Sequence, residues 1–379
     1  PVLWQWSFLP SALVPVSYGW WSVLSTVSAL GVGLFSARDL LAAARSDRLG
    51  GPDPAGLVAA LPPRRHILVT GGTGFIGQRL VEALVRGGHF VTVLTRDLRK
   101  ADDLEHPVRV ITSLDRIHNA ERFDAIVNLA GDPIASGLWT SRKRDRIIGS
   151  RVQMTEALQA LVGRLDNKPA CLINGSAIGW YGLRGDETLT EDANFEPAFV
   201  HEVCERWEQA AQKLERDGVR VVLLRIGLVL GVEGGILAKL LTPFEFGGGG
   251  AMGSGRQWMS WIERDDLVRI IARTVADENL SGPVNATAPV PVRNAEFTSA
   301  LAKALHRPAF LRLPAWLLST ALGDMGRETM LAGQRVVPAK LVAAGFRFRH
   351  PELAPMLQMI TGARAGAARG EEQEARSLA

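Results

Sequence analysis

The chain has 379 residues, 47% of them hydrophobic and 22% charged. That is enough apolar material for a sizeable core in one large or two ordinary domains. The 43 Lys and Arg against 39 Asp and Glu leave a formal charge of only +4. No basic run interleaves with aromatics, which argues against a nucleic-acid partner. Cys171 and Cys204 have neither CxxC nor zinc spacing, so they read as reduced thiols, with no metal site.

Residues 1–37 contain no Asp, Glu, Lys, Arg or His. Beyond Pro10 and Pro15, the run VSYGWWSVLSTVSALGVGLFSA (16–37) is free of charge and proline. It reaches the roughly 20 helical residues that a bilayer core requires. Tyr18, Trp20 and Trp21 cluster at one end and Arg38, Arg45 and Arg48 follow the other. This pattern predicts a transmembrane helix with the downstream chain on the cytoplasmic side of the inner or plasma membrane. The competing reading is a buried helix of a folded domain. Residues 38–64 turn rich in Gly, Pro and charge and read as a linker with one short helical turn.

Strand and helix patterns then alternate. HILVT (66–70) is a β-rich run, and FIGQRLVEALVRGG (75–88) has helical period and stops at a glycine pair. HFVTVLT (89–95), VRVIT (108–112) and FDAIVNLAG (123–131) read as strands. A charged helix is expected from Ser141 to Arg164. Strand PACLINGS (169–176), helix FVHEVCERWEQAAQKLERDG (199–218) and strand VRVVLLRIG (219–227) follow. The alternation predicts an α/β fold, a doubly wound parallel Rossmann sheet over 65–294. Gly/Pro-rich loops and short helices from 231 onward form a smaller lobe, with a C-terminal domain over 295–362. The tail 363–379 reads as disordered.

VTGGTGFIG places Gly71, Gly74 and Gly77 after a strand and at a helix start. In that context glycines permit the tight turn, close approach of backbone to a pyrophosphate, and close helix–strand packing. The helix N-terminus adds free N–H groups and a positive dipole end. After the second strand the sequence reads Thr95, Arg96, Asp97, with Arg99 and Lys100 close by. An arginine there suits a ribose 2′-phosphate, whereas Asp97 falls one place late for a ribose 2′-OH. The expected cofactor is therefore NADP(H), with Arg96 on the adenosine 2′-phosphate or stacked on adenine.

TGGTGFIG, NLAGDPI (128–134), NGSAIGWYG (174–182), VCERWEQAA (203–211), LLRIGLVLG (223–231), MSWIERDDL (259–267), NATAPVPVRNAEFT (285–298) and GQRVVPAKLVAAGFRFRHPEL (333–353) occur in this order. Taken as a series, over residues 66 to 360, they resemble the atypical extended-type short-chain dehydrogenase/reductases known as "epimerase family" proteins. The resemblance implies an NADP(H)-binding Rossmann domain with a small C-terminal domain and an unidentified small-molecule substrate. It also implies that Gly71, Thr73, Gly74, Phe75, Ile76 and Gly77 hold the pyrophosphate. Leu129, Ala130 and Gly131 would border the adenosine ribose, Ser176 would lie near the nicotinamide, and Trp258 to Trp261 would cover the substrate.

Ordinary short-chain dehydrogenases use Tyr and Lys four apart on one helix face, the ammonium lowering the phenol pKa. Here Tyr18 is followed at that spacing by Ser22 and Tyr181 by Gly185, and the chain has no other tyrosine. The helix where the pair belongs offers Val200 and Cys204 instead. Tyr181 and Ser176 are left as catalytic candidates, with Glu187, Glu191, His201 and Glu202 as acid/base groups nearby. For each the plainer reading is pocket lining, packing or, for His201, solvation. Two functions follow: an NADP-dependent oxidoreductase or epimerase with a non-standard acid/base, or a non-catalytic NADP(H)-sensing protein at the membrane.

Overall fold

The computed structural model describes residues 53–362. The helix expected over 16–37 and the tail lie outside the described residues. Among the described residues, no helix is long and apolar enough to cross a membrane.

The strands in chain order are β1 (His66–Thr70), β2 (Phe90–Leu94), β3 (Arg109–Ile111), β4 (Ala125–Asn128), β5 (Cys171–Ala177), β6 (Thr188–Leu189), β7 (Arg220–Ile226), β8 (Leu228–Gly231), β9 (Gly250–Met252), β10 (Trp258–Met259), β11 (Trp261–Glu263), β12 (Gly282–Ala286), β13 (Val292–Arg293), β14 (Leu311–Leu313) and β15 (Arg335–Val336). The helices are α1 (Pro54–Leu57), α2 (Phe75–Arg86), α3 (Ser141–Arg164), α4 (Phe199–Gln212), α5 (Gly235–Glu245), α6 (Arg264–Ala276), α7 (Asn294–Leu305), α8 (Ala315–Gly326) and α9 (Ala339–Ala343). Seven strands form one parallel sheet in the order β12-β7-β5-β4-β1-β2-β3. Strand order reverses between β1 and β4, the position at which open α/β sheets bind ligands beyond their carboxyl ends.

Strand period decides the layering. Val69, Val93, Val127, Ile173 and Val222 face Leu80, Leu84, Leu267 and Ile271 from α2 and α6. Their chain neighbours Leu68, Ile126, Leu172 and Leu223 face the opposite way, onto Leu158, Leu161, Ala211 and Leu214. Both sheet faces are covered, so the strands are continuously apolar rather than alternating, as parallel sheets require. α2 buries Leu80, Val81, Ala83 and Leu84 at helical spacing and stops at Gly87, whose N–H bonds the Ala83 carbonyl.

Two expectations are corrected. Residues 53–61 are not linker: Leu57 and Val58 are buried in the core beside α2, because α2 would otherwise leave its outer apolar edge in water. The region after 231 is not mainly loops and short helices. It contains the 13-residue α6 and the edge strand β12 of the main sheet, whose Gly282 and Pro283 hide the strand signal. A separate core of Leu237, Leu241, Phe244, Trp261, Phe297, Leu301 and Met356 forms the smaller lobe.

Asp266, with no exposed surface, fastens that lobe. Its carboxylate accepts from the backbone N–H of Arg349 and His350 and from Arg269 Nη1. Asp266→Ala is expected to destabilise the chain by about 3 kcal/mol or more, because it strands buried donors. Urea unfolding checks this; a change within 0.5 kcal/mol, the ordinary range for surface sites, would refute it.

Candidate dinucleotide site and the buried polar network beside it

The turn between β1 and α2 is built around three glycines. Gly71 has φ +70°, and a Cβ there would lie 2.7 Å from the Leu129 carbonyl carbon. A Cβ on Gly77 would lie 2.2 Å from the Gly71 carbonyl oxygen. The first position therefore needs the left-handed region and close contact with the end of β4, and the second brings α2 down onto the turn. Gly74 is the exposed N-cap of α2 and supplies no side-chain cap. The first-turn donors at Phe75, Ile76 and Gly77 thus have neither an intrahelical partner nor a capping side chain, which is the arrangement of an anion site. Thr73 and Ile76 are half-buried at the same turn.

Phe75 contributes its backbone here, since its ring turns away. The ring fills the space where Gly231, Gly234 and Gly235 have no side chains, each prospective Cβ lying 2.5–3.0 Å from a ring atom. The Arg264 guanidinium lies 5.0 Å from its centroid, at cation–π range. One turn along α2, Arg79 holds Asp265 with two 2.7 Å bonds. The cofactor helix is thereby clamped to the start of α6.

Arg96 is exposed just beyond β2. Asp97 is engaged locally: its carboxylate accepts from the Arg99 N–H, and its own N–H bonds Thr95 Oγ1. Leu129 and Ala130 border the Gly71 turn, while a Cβ on Gly131 would meet the Arg151 guanidinium at 3.0 Å.

Ser176 and Tyr181, the two catalytic candidates, are both buried. Tyr181 has no exposed surface. Its hydroxyl donates to Asn285 Oδ1 at 2.7 Å and accepts from Arg225 Nη1 at 3.3 Å. Burial raises its phenol pKa, outweighing the neighbouring Arg225 cation, the reverse of what proton trading near neutral pH requires. Ser176, at the end of β5 and 3% exposed, donates to Glu208 at 2.6 Å. Glu208 in turn forms a two-pronged pair with Arg225 at 3.0 Å in each prong. Arg225 is stacked 3.5 Å from the centroid of Trp180. In this structure Tyr181 packs a loop and is closed to a ligand, because its hydroxyl is the terminus of a buried network.

The other candidates are also engaged. Glu191 is buried, one oxygen accepting from the N–H groups of Asn285 and Lys340 while the other has no partner. His201, expected in solvent, is buried: it stacks on Phe195 at 3.8 Å and donates from Nδ1 to the Trp180 carbonyl. Glu187 and Glu202 pair with Arg184 and Arg206 on the surface. Burial pushes the Cys204 thiol up to about 11, so it is no thiolate nucleophile. Val200 is covered by the C-terminal domain, packing in one cluster with Trp139, Phe199 and Met325, and its N–H bonds Glu328 at 3.0 Å. Trp261 is fully buried in the smaller lobe rather than over a substrate. Trp258 is half-buried with Arg293 and Arg335 against its ring.

A parallel doubly wound sheet with this glycine turn at its switch point defines a Rossmann dinucleotide-binding protein. The chain belongs to the NAD dependent epimerase/dehydratase family, whose model matches residues 67–286; a domain of unknown function, DUF1731, matches residues 313–360. The chain is 38% identical over 291 residues to the epimerase family protein YfhF of Bacillus subtilis (strain 168), across 76% of this chain and 95% of that one. It is 37% identical over 301 residues to the chloroplastic SDR39U1 homolog of Arabidopsis thaliana, across 78% and 86%. Among solved structures it resembles human epimerase family protein SDR39U1 with NADPH, at 31% identity and TM-score 0.72, covering 78% of this chain and 99% of that one. Its fold also matches UDP-glucuronic acid 4-epimerase of Bacillus cereus, at TM-score 0.63 and 16% identity.

Two outcomes are expected. Tyr181→Phe should cost about 1 kcal/mol in unfolding free energy, one hydrogen bond, whereas Glu208→Ala, which strands a buried guanidinium, should cost about 3–5 kcal/mol. Equal effects in chemical denaturation would contradict the network. Separately, burial and the adjacent Asp265 push Glu263, 7% exposed, from 4.5 up to about 7. Its neutral form is favoured by folding, so its contribution is complete below pH 4.5 and is lost as pH rises to about 7. Glu263→Gln should flatten that decline in a series of melts across this range; an unchanged profile would count against it.

Proposed function

We propose that the chain binds NADP(H) across the carboxyl ends of β1, β2 and β4. The observation that carries this reading is the glycine cradle, which would be filled by a Cβ at Gly71 or Gly77. The backbone of Thr73 to Gly77 would hold the pyrophosphate, and Leu129 to Gly131 would wall the adenosine ribose. Arg96 would meet the 2′-phosphate, supported by Asp97 being spent on its own turn. Ser176 would end β5 on the nicotinamide side. When bound, the cofactor supplies hydride chemistry; this chain's residues orient it and keep water from one face. The structure of the human relative with NADPH supports the same cofactor.

On this site the chain acts as an oxidoreductase or epimerase on a small substrate, without a Tyr/Lys pair. A second reading, a non-catalytic NADP(H)-responsive protein, is favoured by one observation: Tyr181, His201 and Cys204 are all buried and engaged. NADPH absorbance against carbonyls and nucleotide-sugars separates the two. Turnover supports the enzyme, and tight binding with no turnover supports the sensor. The apolar run 16–37 anchors the chain to the inner or plasma membrane with the folded part cytoplasmic; release of the intact chain by a carbonate wash would overturn this.

NADPH should bind at least about tenfold tighter than NADH, the worth of one or two charge-assisted hydrogen bonds. Arg96→Ala should erase most of that preference, and Gly77→Val should abolish binding of both. Calorimetric titration reads all three; equal affinity of the unaltered chain for the two cofactors would sink the Arg96 assignment.

A further inference from the structure

Five large hydrophobic side chains lie exposed within eight residues: Phe310 (76%), Leu311, Leu313, Trp316 (68%) and Leu317. Phe246, 81% exposed, lies near them: a Cβ on the adjoining Gly247 would come 3.8 Å from Pro308. These residues sit on β14, the start of α8 and the end of α5, at one edge of the smaller lobe. A monomeric soluble surface rarely gathers this much apolar area in one place without a partner.

Along the segment that carries Phe310 to Leu317 the charge has one sign, while Glu245 adjoins Phe246. Between Glu296 and Asp324 there is no acidic residue, while Lys303, His306, Arg307 and Arg312 all fall in that stretch. Spatially they converge: Lys303, His306, Arg307 and Arg312 line one open cavity of about 740 Å³, with Phe310 and Leu311 also in its wall. Lys303, His306 and Arg312 are exposed. Aromatic and aliphatic side chains beside basic ones are the composition of a surface seated at a lipid headgroup boundary. A globular partner would have to match a basic pocket and a projecting aromatic ridge together. An anionic bilayer satisfies both, its headgroups meeting the cations and its acyl boundary taking the aromatics.

The rest of the sequence points to the same partner. The chain carries 52 residues before the described part, and the first 37 contain no Asp, Glu, Lys, Arg or His. We propose that the face formed by Phe246, Lys303, Phe310, Arg312, Trp316 and Leu317 docks on an anionic membrane surface. The smaller lobe then lies against the bilayer, and the Rossmann sheet is held at a fixed orientation to it. This rests on the family fold and not on the NADP(H) reading, so loss of cofactor binding would leave it standing.

The test uses both the full chain and residues 53–379. The shorter form contains the whole of both matched domains, and it coincides, to within one residue, with the compact unit that begins at Pro52. The shorter form should co-sediment with vesicles containing phosphatidylglycerol and not with phosphatidylcholine alone. Lys303→Glu and Arg312→Glu should each weaken binding about fivefold or more at low salt. Phe310→Ser with Trp316→Ser should abolish it, while the melting temperature and NADPH titration stay unchanged. A polarity-sensitive fluorophore on Trp316→Cys should shift to the blue only when anionic vesicles are added. Absence of sedimentation, or variants that bind as the unaltered form does, would overturn the proposal. So would a fluorophore already blue-shifted in the vesicle-free full chain and not in the shorter form, since the chain's own N-terminal segment would then cover this face.

Discussion

The buried Arg225–Glu208 pair is the constraint on which the region beyond β5 depends. A guanidinium 2% exposed near the carboxyl end of β7 is tolerable only when its charge is matched and its donors are used. Glu208 on α4 provides the match, Trp180 covers the cationic face, and Tyr181 and the Glu191 carbonyl take the remaining donor. Ser176 closes the arrangement by donating to the same carboxylate. One charge therefore sets the orientation of α4, the loop 178–191 and the end of β5. The two residues that could have formed a catalytic pair are consumed in satisfying it.

A second clamp holds the opposite side of the crevice. α2 must present a bare N-terminus, so its stability has to come from elsewhere along its length. The ring of Phe75 among Gly231, Gly234 and Gly235, the Arg264 cation and the Arg79–Asp265 pair provide that, with every partner beyond residue 230. Asp265 and Asp266 are neighbours, one gripping the cofactor helix and the other the Arg349–His350 backbone. Cofactor turn and C-terminal domain are thus joined through the first turn of α6.

Much of the fold was legible because burial on both sheet faces produces apolar runs that periodicity detects. The strands at 66–70, 90–94, 109–111, 125–128 and 220–226 and the helices at 75–86, 141–164 and 199–212 fall within the segments read from the sequence, and the strand at 171–177 runs one residue past its segment. β12 was missed because Gly282 and Pro283 begin it, which an edge strand can accept. Leu57 and Val58 were read as linker because their partners lie on α2, nearly 30 residues on. Arg225, the second arginine of VRVVLLRIG, was the one available signal for the buried network: a charge in a strand closed on both faces has to be paired. It did not say with what.

The sequence by itself determined the glycine turn, the sheet and the absence of a Tyr/Lys pair. These are local matters: backbone conformations only glycine adopts, periodicities of two and 3.6, and a count of tyrosines. Only the tertiary structure decided that Tyr181 and His201 are buried, that Asp97 is engaged in its own turn, and that Phe310 to Leu317 stand in water. Burial and charge pairing depend on contacts between separate elements, from 17 positions apart for Glu208 and Arg225 to 186 for Arg79 and Asp265, and no local pattern encodes which of them meet.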